Sequence, residues 1–145
     1  MQNIRSRLVE LATTKIDEYT TVLMQGSGSF TVEATLGTTV PRDGKLLILT
    51  KGAYGDRMVK MAKVLGISHT AFDFGEVTAP AAADLESALT ANPAITHVAF
   101  VHCETTTGML NPLYIFAGQT ITIDLPSSQT SLRIFPLGGF FKPRM

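Results

Sequence analysis

The sequence predicts an α/β fold of three layers, a mainly parallel sheet with flanking helices on both faces. Two observations carry that expectation. Short, continuously apolar runs such as Leu46-Leu47-Ile48-Leu49 and Val98-Ala99-Phe100-Val101 suit strands buried on both sides, as parallel strands are. Each run leads into a glycine-rich or polar turn, and the order of strand, loop and helix repeats, which implies right-handed crossovers. A chain of 145 residues, 45% of them apolar, is also long enough to bury a real core.

Taken in order, Ile4, Leu8 and Leu11 recur at helical spacing with Arg5, Arg7 and Glu10 between them, which predicts an amphipathic helix over Ile4 to Ala12. A polar stretch, Thr13 to Glu18, leads to Thr20-Thr21-Val22-Leu23-Met24, whose β-branched start and short length predict a first strand. Gln25-Gly26-Ser27-Gly28-Ser29 is a tight turn, followed by a helix from Ser29 to about Leu36. Val40 to Gly44 is a turn by composition, and Lys45 to Thr50 a second strand. After Lys51-Gly52-Ala53-Tyr54-Gly55-Asp56-Arg57, a helix is expected over Met58 to Leu65, with Met58, Met61, Ala62 and Leu65 on one side.

His69 to Phe74 reads as the third strand, and Pro80 opens a helix from about Ala81 to Ala91 that carries Asp84 and Glu86 near its start. Thr96 to His102 is the fourth strand, running into a polar loop from Cys103 to Pro112. Thr120 to Asp124 suggests a fifth strand, whereas Pro126 to Met145 shows no sustained period. The expected division is therefore 1–113 as the packed unit and 114–145 as a divergent tail, of the kind a frameshift or internal deletion leaves.

Composition removes several classes of function. Twelve basic and twelve acidic residues balance, so no net field draws nucleic acid or an anionic membrane. No apolar run approaches the roughly 20 residues of a membrane span, and no basic-then-apolar leader opens the sequence. The single cysteine, Cys103, excludes an internal disulfide and fits a reducing cytoplasm; without an activating neighbour in sequence it reads as buried and inert. His69, His97 and His102 have no ligand-like spacing, so no metal site is expected.

The turn at Gly26 to Ser29 carries the functional signal. Two glycines let backbone amides approach a ligand closely, Ser27 and Ser29 add hydroxyls, and the start of a helix favours an anion. An ordinary helix cap is the competing reading of these residues. A dinucleotide fingerprint would need a carboxylate after the next strand, where Thr50-Lys51-Gly52 stands instead. A nucleoside-triphosphate loop would need Gly-Lys-Ser or Gly-Lys-Thr, which does not occur. A cradle for one phosphate monoester is left.

Three motifs in order, Gln25 to Ser29 with Val32-Glu33-Ala34, Gly52 to Gly55 with Arg57-Met58, and His102 to Pro112, closely resemble class V aminotransferases, with similarity from about Asn3 to Leu113. The resemblance implies the large domain of a transferase that uses pyridoxal 5'-phosphate (PLP), a coenzyme that shuttles an amino group between substrates. It implies that Ser27, Gly28 and Ser29 hold the coenzyme phosphate, that Tyr54 stacks on its ring, and that Thr105 approaches the ring substituents, with Thr106 and Thr107 shaping the loop. Glu104 would position that loop, and His102 reads as a hydrogen-bonded structural residue. Apart from the resemblance, Tyr54 would be a packed surface aromatic and the threonines would satisfy turn backbone.

It further implies a small-molecule amino donor and a 2-oxo acid acceptor in a homodimer. The wording of the second and third motifs favours an aminophosphonate donor, although alanine–glyoxylate and serine–pyruvate members share the same loops. Departures from the pattern accompany it. The lysines are Lys15, Lys45, Lys51, Lys60, Lys63 and Lys142, and none stands in the Ser-x-Asn-Lys context of the family's covalent lysine, so no catalytic residue is assigned. Asp124, in Ile123-Asp124-x-x-Ser127-Ser128, is a weak match to the aspartate that pairs with the pyridine nitrogen, lying too close to Asn111-Pro112. The Pro-Gly-Pro segment and the arginine that reads the substrate's acidic group have no counterpart. A non-catalytic phosphate-binding remnant is accordingly the alternative expectation.

Overall fold

The computed structural model describes residues 1–75, 78, 81–111, 121–123 and 132–136. The elements are α1 (Gln2–Ala12), α2 (Gly28–Thr39), β1 (Lys45–Thr50), α3 (Ala53–Val64), β2 (Ser68–Asp73), α4 (Ala82–Ala91), β3 (His97–Val101), β4 (Cys103–Glu104), β5 (Met109–Leu110), β6 (Ile121–Ile123) and β7 (Leu132–Pro136). The main sheet has the order β2-β1-β3-β7-β6. β1 pairs in parallel with both β2 and β3, so the carboxyl ends of all three strands lie along one edge. β7 runs antiparallel to β3, and β6 antiparallel to β7.

Burial on both sides of β1 explains its unbroken apolar run. Leu46 and Ile48 face one cluster with Val32 and Leu36 of α2, Met58 and Ala62 of α3, and Ala99 and Val101 of β3. Leu47 and Leu49 face the other way, with Val98 and Phe100, against Leu85, Ala88 and Leu89 of α4. Helices thus cover both faces and the three-layer arrangement holds. The first residues of β1 are fixed by Thr96, whose amide donates to the Lys45 carbonyl (2.9 Å) and whose hydroxyl accepts from the Lys45 amide (2.9 Å).

Several elements differ from what the sequence suggests. The strand expected at Thr20 to Met24 does not form. That run belongs to neither sheet, and Val22 is 71% exposed. Extended backbone becomes a strand only when a sheet edge accepts its hydrogen bonds, and the edge of β3 is taken instead by β7. α3 begins at Ala53 rather than Met58, because Gly52 makes the whole turn and the helix starts at once. The polar loop after β3 is a small hairpin, β4 antiparallel to β5. Cys103 is half-buried, since the two-residue strand that carries it lies outside the main sheet. β6 falls where a fifth strand was expected, and β7 lies in the stretch without a period. Asp124 and the boundary at residue 113 lie outside the described residues, as does Lys142.

Gly55 allows α3 to start against the end of β1. A Cβ there would sit 2.8 Å from the Thr50 Cα, a backbone atom that cannot give way, and 3.1 Å from its Cβ. Gly37, inside α2, would meet nothing nearer than the Leu65 side chain at 3.9 Å. Gly55→Ala is therefore expected to cost about 1–3 kcal/mol from overpacking. Gly37→Ala should leave stability unchanged or raise it by up to about 1 kcal/mol. Urea unfolding of the two variants beside the parent chain checks both.

Candidate functional site

The first loop is shaped by its own side chains. Gly26 sits at φ +155°, and a Cβ there would fall 2.7 Å from Cδ1 of Phe30, so the turn folds under that ring only with glycine. Ser27 is the N-cap of α2, its hydroxyl accepting from the Phe30 amide (3.3 Å). The first intrahelical bond runs from the Thr31 amide to the Ser27 carbonyl. Helix geometry therefore leaves the amides of Ser27, Gly28 and Ser29 without intrahelical acceptors. The space in front of Gly28 is open, with no atom within 4 Å of where a Cβ would stand.

The second loop is joined to the first by Arg57. Its Nη1 donates to the Ser29 hydroxyl (3.0 Å), and its guanidinium lies 5.4 Å from the centroid of the Tyr54 ring. α2 has no acidic residue in its first turn. A guanidinium beside the positive end of a helix dipole, with no carboxylate between them, makes an electropositive mouth that favours an anion. Tyr54, in the first turn of α3, is half-buried against the α2–α3 core, with Arg57 over its ring.

The third loop meets the second at Gly52. With φ +128°, a Cβ on Gly52 would lie 3.2 Å from the Glu104 carboxyl carbon and 3.3 Å from the Thr106 hydroxyl. Glu104 is fully buried and its Oε1 accepts from Thr106 (2.5 Å), while the Thr107 hydroxyl donates to the Glu104 carbonyl (3.3 Å). Asn111 closes the hairpin base: its amide donates to the His102 carbonyl (2.7 Å) and its Nδ2 to the Val101 carbonyl (2.5 Å).

Ser29, Tyr54 and the Glu104–Thr107 turn are thus linked end to end through Arg57 and Gly52. Ser27, Gly28 and Ser29 share one helix end, as the sequence suggests. Thr105 is half-buried in the hairpin turn, but it is Thr106 that touches the Gly52 loop. The sequence reading placed Arg57 in the second motif without giving it a role, its partner standing 28 residues away, and it missed the burial of Lys51 and Asn111. For Arg57 the available signal was its place on the same helical turn as Tyr54. Among the described residues no cluster of His, Cys, Asp and Glu is suited to a metal ion, and no helix is long and apolar enough to cross a membrane.

Such a mouth at the carboxyl edge of a wound sheet is where α/β proteins bind ligands. Its fold is shared with solved aminotransferases. Ureidoglycine–glyoxylate aminotransferase from Bacillus subtilis superposes with a TM-score of 0.55 at 25% identity, over 61% of this chain and 22% of that one. Alanine–glyoxylate aminotransferase from Nostoc sp. gives 0.60 at 20% identity over 79% and 39%, a likeness of fold. No family model matches the chain. In fold and in sequence the chain thus resembles part of the class V aminotransferases.

Within that class its sequence is similar to 2-aminoethylphosphonate–pyruvate transaminases. It is 56% identical to the Klebsiella pneumoniae protein over 113 residues, 78% of this chain and 30% of that one. It is 57% identical to the Syntrophobacter fumaroxidans protein over the same length and shares. An alignment with the Vibrio vulnificus protein extends over 131 residues at 50% identity, covering 86% of this chain and 35% of the other. The chain spans about a third of the length of these relatives.

Lys51 is the charged residue most at odds with its surroundings, being 3% exposed with no hydrogen-bond partner for Nζ among the described residues. Burial pushes its pKa below the ordinary 10.5. Between the two values the unfolded chain holds a proton that the folded chain does not, so stability rises with pH through that window, and the penalty is fully present below the lower value. Lys51→Met removes the titrating group. Urea midpoints measured from pH 7 to 10 should rise less steeply for this variant, which should also be the more stable at pH 7.

Proposed function

We propose that this chain supplies the coenzyme-gripping part of a 2-aminoethylphosphonate–pyruvate transaminase. In the whole protein the amino group of 2-aminoethylphosphonate passes to pyruvate, giving phosphonoacetaldehyde and alanine in phosphonate breakdown. The single observation that carries the reading is the Arg57–Ser29 bond at the uncompensated positive end of α2, in a chain over 50% identical to such transaminases. The open space before Gly28 and the free amides around it fit a phosphate. Bound PLP supplies an electron sink for bonds at the substrate's amino carbon.

The residues of this chain hold and orient. The amides of Gly28 and Ser29, with the two serine hydroxyls and Arg57, grip the phosphate. The Tyr54 ring limits how the pyridine can lie and keeps water from one of its faces. The hairpin turn at Thr105 and Thr106 borders the ring substituents, held in place by buried Glu104. Asp124 is the residue proposed, on sequence alone, for the pyridine nitrogen. The amino donor and the 2-oxo acid are bound with parts of the whole protein beyond this chain's alignment, in a homodimer, and the reducing cytoplasm is the proposed location.

No lysine here stands in the family's covalent context, so the chain alone is proposed to bind without turning over. Incubated with 2-aminoethylphosphonate and pyruvate, it should form alanine no faster than buffer with PLP; sustained alanine formation would contradict this.

The grip has its own test. Ser29→Glu puts a carboxylate at the helix end beside Arg57. That change should hold or raise stability by about 0.3–1 kcal/mol. It should also weaken retention of PLP in equilibrium dialysis by about tenfold or more, equivalent to about 1.4 kcal/mol. Undiminished retention would place the phosphate elsewhere.

A further inference from the structure

We propose that the outer edge of β2 is a pairing surface for a second copy of this chain, two β2 strands joining antiparallel about Ala71 into one continuous sheet. β2 ends the sheet order, and no strand among the described residues lies on its outer side. The Phe74 amide donates inward to the Thr50 carbonyl of β1 (3.1 Å). Backbone groups alternate along a strand, so those of Phe72, Thr70 and Ser68 also point at β1, whereas His69, Ala71 and Asp73 present both amide and carbonyl to the open edge. The pairing is one of the 145-residue chain itself and does not rest on the coenzyme reading.

The edge is bounded at each end by its own side chains. His69 Nδ1 donates to the Ile67 carbonyl (2.7 Å), since a carbonyl can only accept, and Asp73 Oδ1 accepts from the Gly75 amide (2.8 Å). Between these closures nothing guards the strand. Ser-His-Thr-Ala-Phe-Asp contains none of the lysines or prolines with which proteins commonly blunt a free edge, and Ala71, Phe72 and Asp73 are exposed.

A two-fold axis through Ala71 is the register that uses every outward group. Ala71 then exchanges both of its hydrogen bonds with Ala71 of the second copy, and His69 exchanges both with Asp73 of the second copy. Any other centre sets some of these residues against Ile67 or Gly75, whose outward groups are already bonded. The side chains agree with the backbone. His69, Ala71 and Asp73 share the face of Leu46 and Ile48, so each imidazole stands directly across from a carboxylate. With Nδ1 committed to Ile67 and Oδ1 to Gly75, Nε2 and Oδ2 are left to meet, the imidazolium donating. On the other face Phe72, 39% exposed, lies across from Thr70 of the second copy in the closer, non-hydrogen-bonded kind of pair, which covers its ring.

Sedimentation velocity of the full chain over a concentration series should show a dimer growing in at micromolar concentration. Ala71→Lys and Ala71→Glu each set like charges at a residue that faces itself, on Cα atoms about 5.5 Å apart. Each should weaken association by about tenfold or more. Mixed in equal amounts, the two variants should associate again, because lysine then faces glutamate. Ala71 is exposed, so circular dichroism of both variants should match that of the parent. Independently of any variant, amide hydrogen exchange in the parent should slow with concentration at His69, Ala71 and Asp73 and stay constant in α4. A parent chain that remains monomeric, or exchange at these amides that ignores concentration, overturns the inference. A dimer that both variants leave intact overturns it as well, and so does a mixture of well-folded variants that fails to associate.

Discussion

Parallel pairing of β1 with β2 and β3 is the constraint on which the rest depends. In an antiparallel sheet the segments that follow successive strands emerge at opposite edges. Here they emerge together, so the Lys51–Arg57 turn and the Cys103–Asn111 hairpin are brought side by side by strand direction alone. The register, Leu46 beside His97 and Leu49 beside Phe100, sets how far each reaches past the edge. Apolar burial on both faces maintains that pairing: Leu46 and Ile48 on one side, Leu47 and Leu49 on the other, none more than 3% exposed.

Polar contacts at the edge then join loops that the sheet has merely placed near one another. Arg57 reaches from α3 to the start of α2, and Gly52 presses on Glu104 through a backbone conformation that side chains rarely adopt. The helix ends contribute a field no single residue carries. The N-terminal amides of α2 point into the mouth, and the guanidinium adds to their charge instead of cancelling it. Uncompensated charge of one sign is costly in a protein that binds nothing and useful in one that binds an anion.

Strands β1 and β3 were legible because continuous apolar runs of that length have few other uses, and the start of α2 was legible because a serine between two glycines is suited to capping. Thr20 to Met24 shows the limit of the same rule. Its composition is that of a strand, but pairing depends on which edges are open, and no local pattern encodes that. β7 is the converse: Leu132 to Pro136 has no strong strand signature, and the open edge of β3 accepts it. The lines of the site were readable as motifs, whereas the links between them were not. Arg57 to Ser29, Gly52 to Glu104 and the burial of Lys51 all arise from tertiary proximity, and an ionisable side chain in a sequence reads by default as solvated.

Amide chemical shifts followed by NMR during titration with PLP test the central claim most directly, since they report on all three loops at once. The account predicts that Gly28, Ser29, Tyr54 and Thr106 shift together along one saturating curve, while residues of α4, on the opposite face of the sheet, stay still. Shifts confined to a single loop, or spread without saturation over the surface, would contradict a common anion-binding mouth.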